Sequence, residues 1–197
     1  MSFSVHIMVF VKEVPTHQNL FTDTKTGNLK RSKKGVMINP YDEAPIKKAL
    51  ALKEKIGAKI TAISMGPPHT MKMIEYLIAL GFDKGVLITD PLFAGADTLI
   101  TASILAQGVL CLGMPLFLFF GEQTSDGNTG QVPAQVAEFL NIGFFSKIKD
   151  FKKTEDSFCA LQKLDQEERT FLIPPSTSVA LSFLPLKKPL LLFPHAK

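Results

Sequence analysis

The sequence has no tryptophan, only two cysteines and only four histidines among its 197 residues. Two cysteines cannot build a disulfide framework. Because Cys111 and Cys159 both lie among apolar residues, we expect buried thiols in a reducing compartment. The histidines have no metal-ligand spacing with one another or with the cysteines, so no metal site is expected. The serines lack a GxSxG elbow, which excludes the common serine-hydrolase pattern.

Long apolar runs and strong charge are also missing. The first apolar run, Val5–Val11, is too short to span a bilayer and lacks the basic start of a secretory signal, while Lys187 and Lys188 interrupt the apolar C-terminal region. The net charge is only +4, and its basic cluster, Lys30–Lys34, has no interleaved aromatic residues. We therefore expect a cytoplasmic bacterial protein with no membrane insertion and no nucleic-acid binding.

The first 141 residues contain short β-branched runs that alternate with longer helical patterns. This alternation predicts an α/β fold, in which a parallel sheet carries helices on both faces. The predicted strands are Val5–Val11, Lys59–Met65, Gly85–Thr89 and Pro115–Phe120. The predicted helices cover residues 46–57, 71–81 and 97–113, each ending on a glycine, and a further helix is indicated by apolar spacing from Val132 to Leu140.

After Asn141 the pattern changes to consecutive extended runs joined by short polar turns. These runs predict an antiparallel β appendage on or beside the main sheet, formed by residues 144–151, 157–164, 169–175 and 176–184. We expect one domain over residues 1–197, with a βα core at 1–141 and a β-rich extension at 142–197. The long connection Lys12–Asn39 contains "KTGN", which is typical of a hairpin turn.

In an open parallel sheet, ligands bind beyond the carboxyl ends of the strands. The richest loop there is "TSDGNTGQV", Thr124–Val132, after the fourth predicted strand. Asn128 or Thr129 is expected to cap the following helix, which leaves its first N–H groups free for an anion. A plain turn with an Asx contact at Asp126 explains the same residues, so the loop alone leaves both interpretations open.

Two other strand-end loops have the same potential. Gly66, in "GPPH", would let a ligand approach the backbone closely. In "NPYDEAP", either Asn39 caps a helix that has Pro40 in its first turn, or Asp42 is the cap; the second register is favoured because Pro45 would otherwise interrupt the helix. In either register the Asn39 and Tyr41 side chains are expected at the strand ends.

The charged residues near these loops are interpreted as structural. Asp97 precedes an apolar helix and is expected to be its N-cap, Lys12 is a charge at the end of a strand, and Glu138 lies on a solvated helix face. With no catalytic constellation in the sequence, a binding or electron-carrying module is favoured over a hydrolase.

Several segments together resemble the β subunit of electron transfer flavoprotein. They are "VKEVP", "NPYDEA", "AISMGPP", "ALGFDKGVLITD", "AGADTLITASILA" and "GEQTSDGNTGQV" followed by "VAEFL", in order from about Val5 to Pro174. The resemblance implies a Rossmann-like domain of the adenine nucleotide α hydrolase-like type. It also implies a heterodimer with an α subunit that carries FAD. This heterodimer would shuttle electrons from dehydrogenases, acyl-CoA-type ones among them, to a respiratory acceptor.

The resemblance further implies a structural AMP, with backbone N–H groups around Asn128–Gln131 holding its phosphate and strand-end residues enclosing its adenine. The site residues carried over are Phe10, Asn39, Pro40, Tyr41, Asp42, Met65, Gly66, Thr124, Ser125, Asp126, Gly127, Asn128, Thr129, Gly130, Gln131 and Val132.

We expect a short, divergent member of the family, without its usual C-terminal recognition loop and arm. Two alternatives within the same fold stay open. One is a non-redox nucleotide-binding or interaction module. The other is a bifurcating-type subunit with its own FAD, which the bulk of Phe10 and Met65 disfavours.

Overall fold

The computed structural model describes residues 5–16, 20–22, 29–31 and 35–187. Its strands are β1 His6–Phe10, β2 Glu13–Pro15, β3 Leu20–Thr22, β4 Leu29–Arg31, β5 Val36–Ile38, β6 Lys59–Met65, β7 Lys84–Ile88, β8 Phe117–Gly121, β9 Gly143–Lys153, β10 Phe158–Lys163, β11 Glu168–Ile173 and β12 Val179–Phe183. The helices are α1 Glu43–Ile56, α2 Met71–Ala79, α3 Thr98–Leu112 and α4 Val132–Phe139, with short 3₁₀ turns at Pro40–Asp42, Pro68–Thr70 and Pro91–Phe93.

Eight strands form one sheet in the order β11-β10-β9-β12-β8-β1-β6-β7. The pairs from β9 through β7 are parallel, and β10 and β11 continue the sheet with antiparallel pairing. The predicted α/β Rossmann-like fold with antiparallel strands near its C-terminal end is confirmed. The four predicted core strands match β1, β6, β7 and β8 to within two residues at either end.

The helices cover both faces of the sheet because successive strand residues point to opposite sides. Ile7 and Val9 of β1 pack in the core beneath α1 and α2, whereas Met8 and Phe10 pack beneath α3 and α4. All four predicted helices are present. The first ends as expected on a glycine, Gly57, whose φ of +67° lies in the left-handed region and whose N–H donates to the Lys53 carbonyl.

The position of β12 corrects the prediction for residues 176–184, which assigned them to the antiparallel appendage. The strand instead pairs in parallel with both β8 and β9, inside the main sheet. All five residues of Val179–Phe183 are buried, and a strand that is covered on both faces is typical of the centre of a parallel sheet. The division of the domain at residue 141 stays a prediction.

A phenylalanine cluster fills the core where the parallel and antiparallel parts of the sheet meet. It consists of Phe117, Phe119, Phe151, Phe158 and Phe183, each at most 2% exposed. The Phe117 ring lies edge-on to those of Phe151 and Phe158, with centroids 5.0 and 4.7 Å apart, and Phe151 and Phe158 are stacked 5.6 Å apart. Edge-on and offset stacking are the arrangements that aromatic rings prefer.

The long connection after β1 contains two small strand pairs. β2 pairs with β5, and β3 pairs antiparallel with β4, as a hairpin requires. The predicted "KTGN" turn, residues 25–28, lies outside the described residues, as do Ser32–Lys34 of the basic cluster and everything from Lys188 onward. Within the described part of the chain, no helix is long and apolar enough to cross a membrane.

The expectation of two buried thiols is wrong. Cys111 is exposed and Cys159 is partly exposed, and neither forms a disulfide. Cys111 follows Leu110 on α3, and both residues lie on the side of the helix that the sheet does not cover. Apolar neighbours in the sequence therefore did not indicate burial here, because α3 is apolar on its outer side as well as on its inner side.

Candidate functional site

A cleft of about 400 Å³ opens at the carboxyl ends of β1, β6 and β8, on the face covered by α3. Small-molecule sites commonly occupy about 300–1,000 Å³ and, in open α/β sheets, lie at this edge. The strand ends contribute Phe10–Lys12, Ile63–Met65 and Phe120–Gly121, the start of α3 contributes Phe93 and residues 95–98, and the β8–α4 loop contributes most of Gln123–Pro133.

Apolar side chains form the floor of the cleft. The rings of Phe10 and Phe120, on the neighbouring strands β1 and β8, are stacked with centroids 4.0 Å apart and an interplanar angle of 12°. Ile63 and Met65 from β6 and Leu105 from α3 complete this surface. A flat aromatic pair beside aliphatic groups is suited to a planar ring of a ligand.

The glycine-rich loop of the cleft, Gly127–Gln131, turns sharply before α4. Asn128 and Gly130 have φ values of +50° and +62°, in the left-handed region. A Cβ on Gly130 would lie 3.1 Å from the Glu122 carbonyl oxygen, so the turn favours glycine for both backbone shape and space. The loop thereby brings backbone amides and the first turn of α4 to the cleft.

The expected cap at Asn128 or Thr129 is wrong. The residue before α4 is Gln131, whose side chain does not cap the helix. Instead its Oε1 accepts a hydrogen bond from Thr98 Oγ1 at 2.9 Å, which joins the starts of α3 and α4 across the cleft mouth. The two left-handed residues delay the helix start, so the side chains of Asn128 and Thr129 are too early in the chain to reach its first N–H groups.

Asp42 connects the strand ends. Its Oδ2 accepts a hydrogen bond from the Lys12 N–H at 2.7 Å, its Oδ1 accepts one from Asn39 Nδ2 at 2.9 Å, and the Gly121 N–H donates to the same carboxyl. Burial raises the pKa of Asp42 to about 7, against the lowering effect of these hydrogen bonds. The favoured register placed Asp42 at the cap position of α1. It does lie there, but its carboxyl does not cap the helix.

Gly121 is required at the end of β8 by close approach. A Cβ there would lie 2.4 Å from Asp42 Oδ1 and 2.8 Å from the Tyr41 backbone. Any side chain would therefore push the 3₁₀ turn Pro40–Asp42 away from the sheet.

Asn39 is fully buried and fixes the loop that follows β8. Its side chain donates to the Gln123 carbonyl oxygen at 2.9 Å and accepts from the Ser125 N–H at 3.2 Å. The Gln123 side chain in turn donates to the Tyr41 hydroxyl at 2.8 Å. The segment from Asn39 to Asp42 thus positions the start of the β8–α4 loop through directional polar contacts.

An ion pair joins the segment after β1 to the residue before the glycine-rich loop. Lys12 Nζ lies 2.9 and 2.7 Å from the two carboxylate oxygens of Asp126. Burial acts to raise the pKa of Asp126, but hydrogen bonds from Lys12 and Thr124 outweigh it, so the pKa lies below its usual value.

The start of α3 forms the opposite wall. Asp97 Oδ1 accepts from the Ile100 N–H at 2.8 Å, which confirms the predicted N-cap. Ser64, at the end of β6, also lines the cleft; its hydroxyl is buried and has no hydrogen-bond partner among the described residues. By the alternation of β6, the Ser64 side chain lies on the same side as Ile60 and Ala62, which is the α1 and α2 side of the sheet and not the cleft side.

The predicted site residues differ in where they lie. Those that line the cleft are Phe10, Asp42, Met65, Thr124, Gly127, Thr129, Gly130, Gln131 and Val132. Asn39, Tyr41, Ser125 and Asp126 hold the loop in place through hydrogen bonds, and Pro40 and Asn128 shape the backbone. Gly66 faces the Thr70 hydroxyl instead, where a Cβ would lie 2.9 Å away. The contacts of these residues with a ligand stay predictions.

Sequence reasoning missed the α3 side of the cleft and much of its floor. The residues not foreseen are Val11, Lys12, Ile63, Ser64, Phe93, Gly95, Ala96, Asp97, Thr98, Thr101, Leu105, Phe120, Gly121, Gln123 and Pro133. One signal was available, because the loop after Thr89 also follows a parallel strand and leads to a capped helix. Nothing in the sequence indicated that Lys12 lies at the cleft.

The family model of the electron transfer flavoprotein domain matches residues 26–180. Acryloyl-CoA reductase electron transfer subunit gamma of Anaerotignum propionicum is 38% identical over 154 residues, or 77% of this chain and 58% of the relative. Electron transfer flavoprotein subunit beta of Clostridium acetobutylicum is 40% identical over 138 residues, or 70% and 53%. Protein FixA of Azorhizobium caulinodans is 37% identical over 142 residues, or 70% and 50%. The chain matches little more than half the length of these relatives.

Proposed function

This chain belongs to the electron transfer flavoprotein β-subunit family, and from that premise we propose that it binds AMP as a structural ligand and pairs with an FAD-carrying α subunit. The resulting heterodimer would carry electrons from dehydrogenases to a respiratory acceptor. The relative from Anaerotignum propionicum is named as an electron transfer subunit of acryloyl-CoA reductase, which supports a partner enzyme that acts on acyl-CoA substrates.

The observation that carries the AMP proposal is that the cleft has one apolar part and one polar part. The apolar part is the flat floor that Phe10 and Phe120 form. The polar part is the glycine-rich loop at the start of α4. An adenine ring matches the first part by stacking and dispersion contacts. A phosphate matches the second, since loop amides and a helix N-terminus both present N–H groups and partial positive charge.

The residues present fit a mononucleotide in further respects. Gly130 lets the ligand approach the backbone without a Cβ in the way. Asn39 and Asp42 act behind the cleft by keeping its loops in register. FAD, held mainly by the α subunit, supplies the redox chemistry when bound. The contribution of this chain is to bind AMP and to shape the surface that meets its partner.

The test is to purify the chain alone and together with an α-type subunit, precipitate the protein with acid, and identify the released molecules by absorbance and mass spectrometry. We expect about one AMP per chain and no flavin from the chain alone. FAD released from the chain alone would support the bifurcating alternative. Release of no nucleotide would contradict both, and failure to pair with an α-type subunit would favour the non-redox module.

A matched pair of glycine variants makes this test specific. Gly130→Ala places a Cβ on a left-handed residue inside the cleft, and Gly57→Ala does the same at the end of α1, where nothing lies within 4 Å. Because both residues are left-handed, we expect both variants to lose stability, and Gly130→Ala to lose more, since its Cβ would also lie 3.1 Å from the Glu122 carbonyl oxygen. Only Gly130→Ala should lose the bound AMP; equal AMP content in the two variants would contradict the assignment of the loop.

A further inference from the structure

Among the described residues that line the cleft, only Lys12 has a cationic side chain. Asp42 and Asp97 also line it, and Asp126 adjoins it. Asp97 is occupied as the cap of α3, and the carboxyl of Asp42 faces three donors from the protein itself. An anionic ligand would therefore meet carboxylates on several sides and a single ammonium group. The affinity of the cleft for an anion then depends on whether that ammonium group is already paired.

That ammonium is already paired. Both carboxylate oxygens of Asp126 lie within 2.9 Å of Lys12 Nζ, and the side chains of Lys12 and Asp126 are 45% and 34% exposed. Ion pairs with this exposure contribute little to stability, because water solvates both partners well when they separate. Asp126 also keeps a hydrogen bond from the Thr124 side chain, so it is not left without a donor when Lys12 moves away.

A phosphate monoester is a stronger partner for an ammonium than one carboxylate is, because it carries more negative charge near neutral pH and offers three terminal oxygens. Asp126 directly precedes Gly127, the first residue of the glycine-rich loop to line the cleft. A phosphate held by that loop would lie close to the position where Asp126 now meets Lys12. The two anions would then compete for one cation.

We propose that Lys12 is the residue that makes this cleft select phosphorylated nucleosides, by exchanging its Asp126 partner for the phosphate of the bound nucleotide. The inference rests on the proposed AMP site and adds to it a mechanism of specificity. Asp126 competes with the ligand for Lys12. It pairs with the Lys12 ammonium group in the absence of nucleotide and weakens the binding of every ligand that needs Lys12.

The test is a double-mutant cycle on the purified, nucleotide-stripped chain, with dissociation constants for AMP and adenosine measured by calorimetry. Lys12→Met should weaken AMP about tenfold and change adenosine less than about twofold. Asp126→Asn should tighten AMP about threefold or more, but only when Lys12 is present; in the Lys12→Met background its effect should fall below about twofold. Substitution of the Lys12 side chain leaves its backbone contacts with Asp42 and Asn39 available.

Lys48→Met is the matched control, because it removes a lysine that pairs with Asp150 outside the cleft at 2.5 Å, and it should leave both ligands unchanged. Equal loss of AMP and adenosine in Lys12→Met would overturn the proposal, since it would indicate a merely structural ion pair. An equal effect of Asp126→Asn in both backgrounds would also overturn it, since this would indicate simple repulsion. A wild-type chain that binds neither ligand would instead defeat the AMP site itself.

Discussion

The phenylalanine cluster and the cleft are built on the same strand but are held together in different ways. In β8, Phe117 and Phe119 point to the cluster on the α1 side, whereas Phe120 points to the cleft and Gly121 meets the turn that contains Asp42. The cluster depends on filled volume, which is a non-directional requirement. The cleft depends on individual donors and acceptors and on the absence of a Cβ at Gly121 and Gly130, which are directional requirements.

This difference between the cluster and the cleft predicts which substitutions lower stability alone and which also disturb ligand binding. A change of volume in the cluster should lower global stability and leave the ligand site of the folded protein intact. A change of a polar atom or of a glycine near the cleft should disturb binding as well as stability. The four predictions below test this separation, beginning with the largest expected effect.

Phe117→Ala should lower the free energy of unfolding by about 3–5 kcal/mol, because the ring is fully buried against Phe151 and Phe158 and its loss leaves a cavity. Denaturant titration measures this loss, and the AMP affinity of the folded fraction should stay unchanged. Phe139→Ala is the control, since this ring is 48% exposed and its removal should cost much less. A loss of AMP affinity in Phe117→Ala would show that the two regions are coupled.

Gly121→Ala should lower the free energy of unfolding by about 3 kcal/mol and also abolish AMP binding, because the new Cβ collides with the Tyr41 backbone and Asp42. Gly143→Ala, at the start of β9, is the matched control, since its Cβ would make only ordinary contacts with Val179 and Phe145. Thermal denaturation and calorimetry measure the two effects. Retained AMP binding in Gly121→Ala would mean that the Asp42 turn does not shape the cleft.

Asp42 should make stability depend on pH. Its pKa is about 7 in the folded protein, against about 3.9 in an unfolded chain. Between those values the folded state holds a proton that the unfolded state has lost, so the contribution of Asp42 to stability falls as pH rises and levels off above about 7. Burial lowers the pKa of His6, and this produces the opposite trend in the upper part of the same range.

Comparison with Asp42→Asn separates the two trends, since both proteins retain His6. The difference in unfolding free energy, wild type minus variant, should be larger at about pH 5 than at about pH 8. Denaturant titrations at the two pH values measure it. Equal differences at the two pH values would indicate that the N–H donors from Lys12, Asn39 and Gly121 keep the carboxylate ionised in spite of burial.

Asp97→Ala should cost about 1 kcal/mol, the usual value of a helix N-cap, through loss of the bond from Ile100 N–H. Because the capped end of α3 also lines the cleft, AMP affinity should fall slightly. Asp90→Ala is the control, since Asp90 accepts from Leu92 N–H at a three-residue turn only. Equal losses of stability in the two variants would indicate that the cap contributes little to α3.

The sequence predicted the parallel core well because its signals are local. Lys59–Met65 was located to the residue by its apolar, β-branched run, and Gly57 marked the end of α1 because a left-handed turn favours glycine. The glycine-rich loop was found because turn residues between a strand and a helix are a short-range pattern. Asp97 was identified as a cap for the same reason.

The pairing of strands that are distant in the chain was harder to predict from the sequence. Residues 176–184 look like one more extended run after three others, and only the sheet shows that β12 returns to lie between β8 and β9. Local pattern carries no information on which strand a strand will pair with. The same limit hid the α3 wall of the cleft, which is brought to Phe10 and the glycine-rich loop by the packing of α3 on the sheet.

The sequence by itself determined the α/β class, the family, and the loops in which a ligand site would lie, because each depends on residue type and local spacing. The tertiary structure decided that Asp42 joins three segments and that Lys12 meets Asp126 although 113 residues separate them in the chain. Such contacts are set by the register and twist of the sheet, which act between residues distant in sequence.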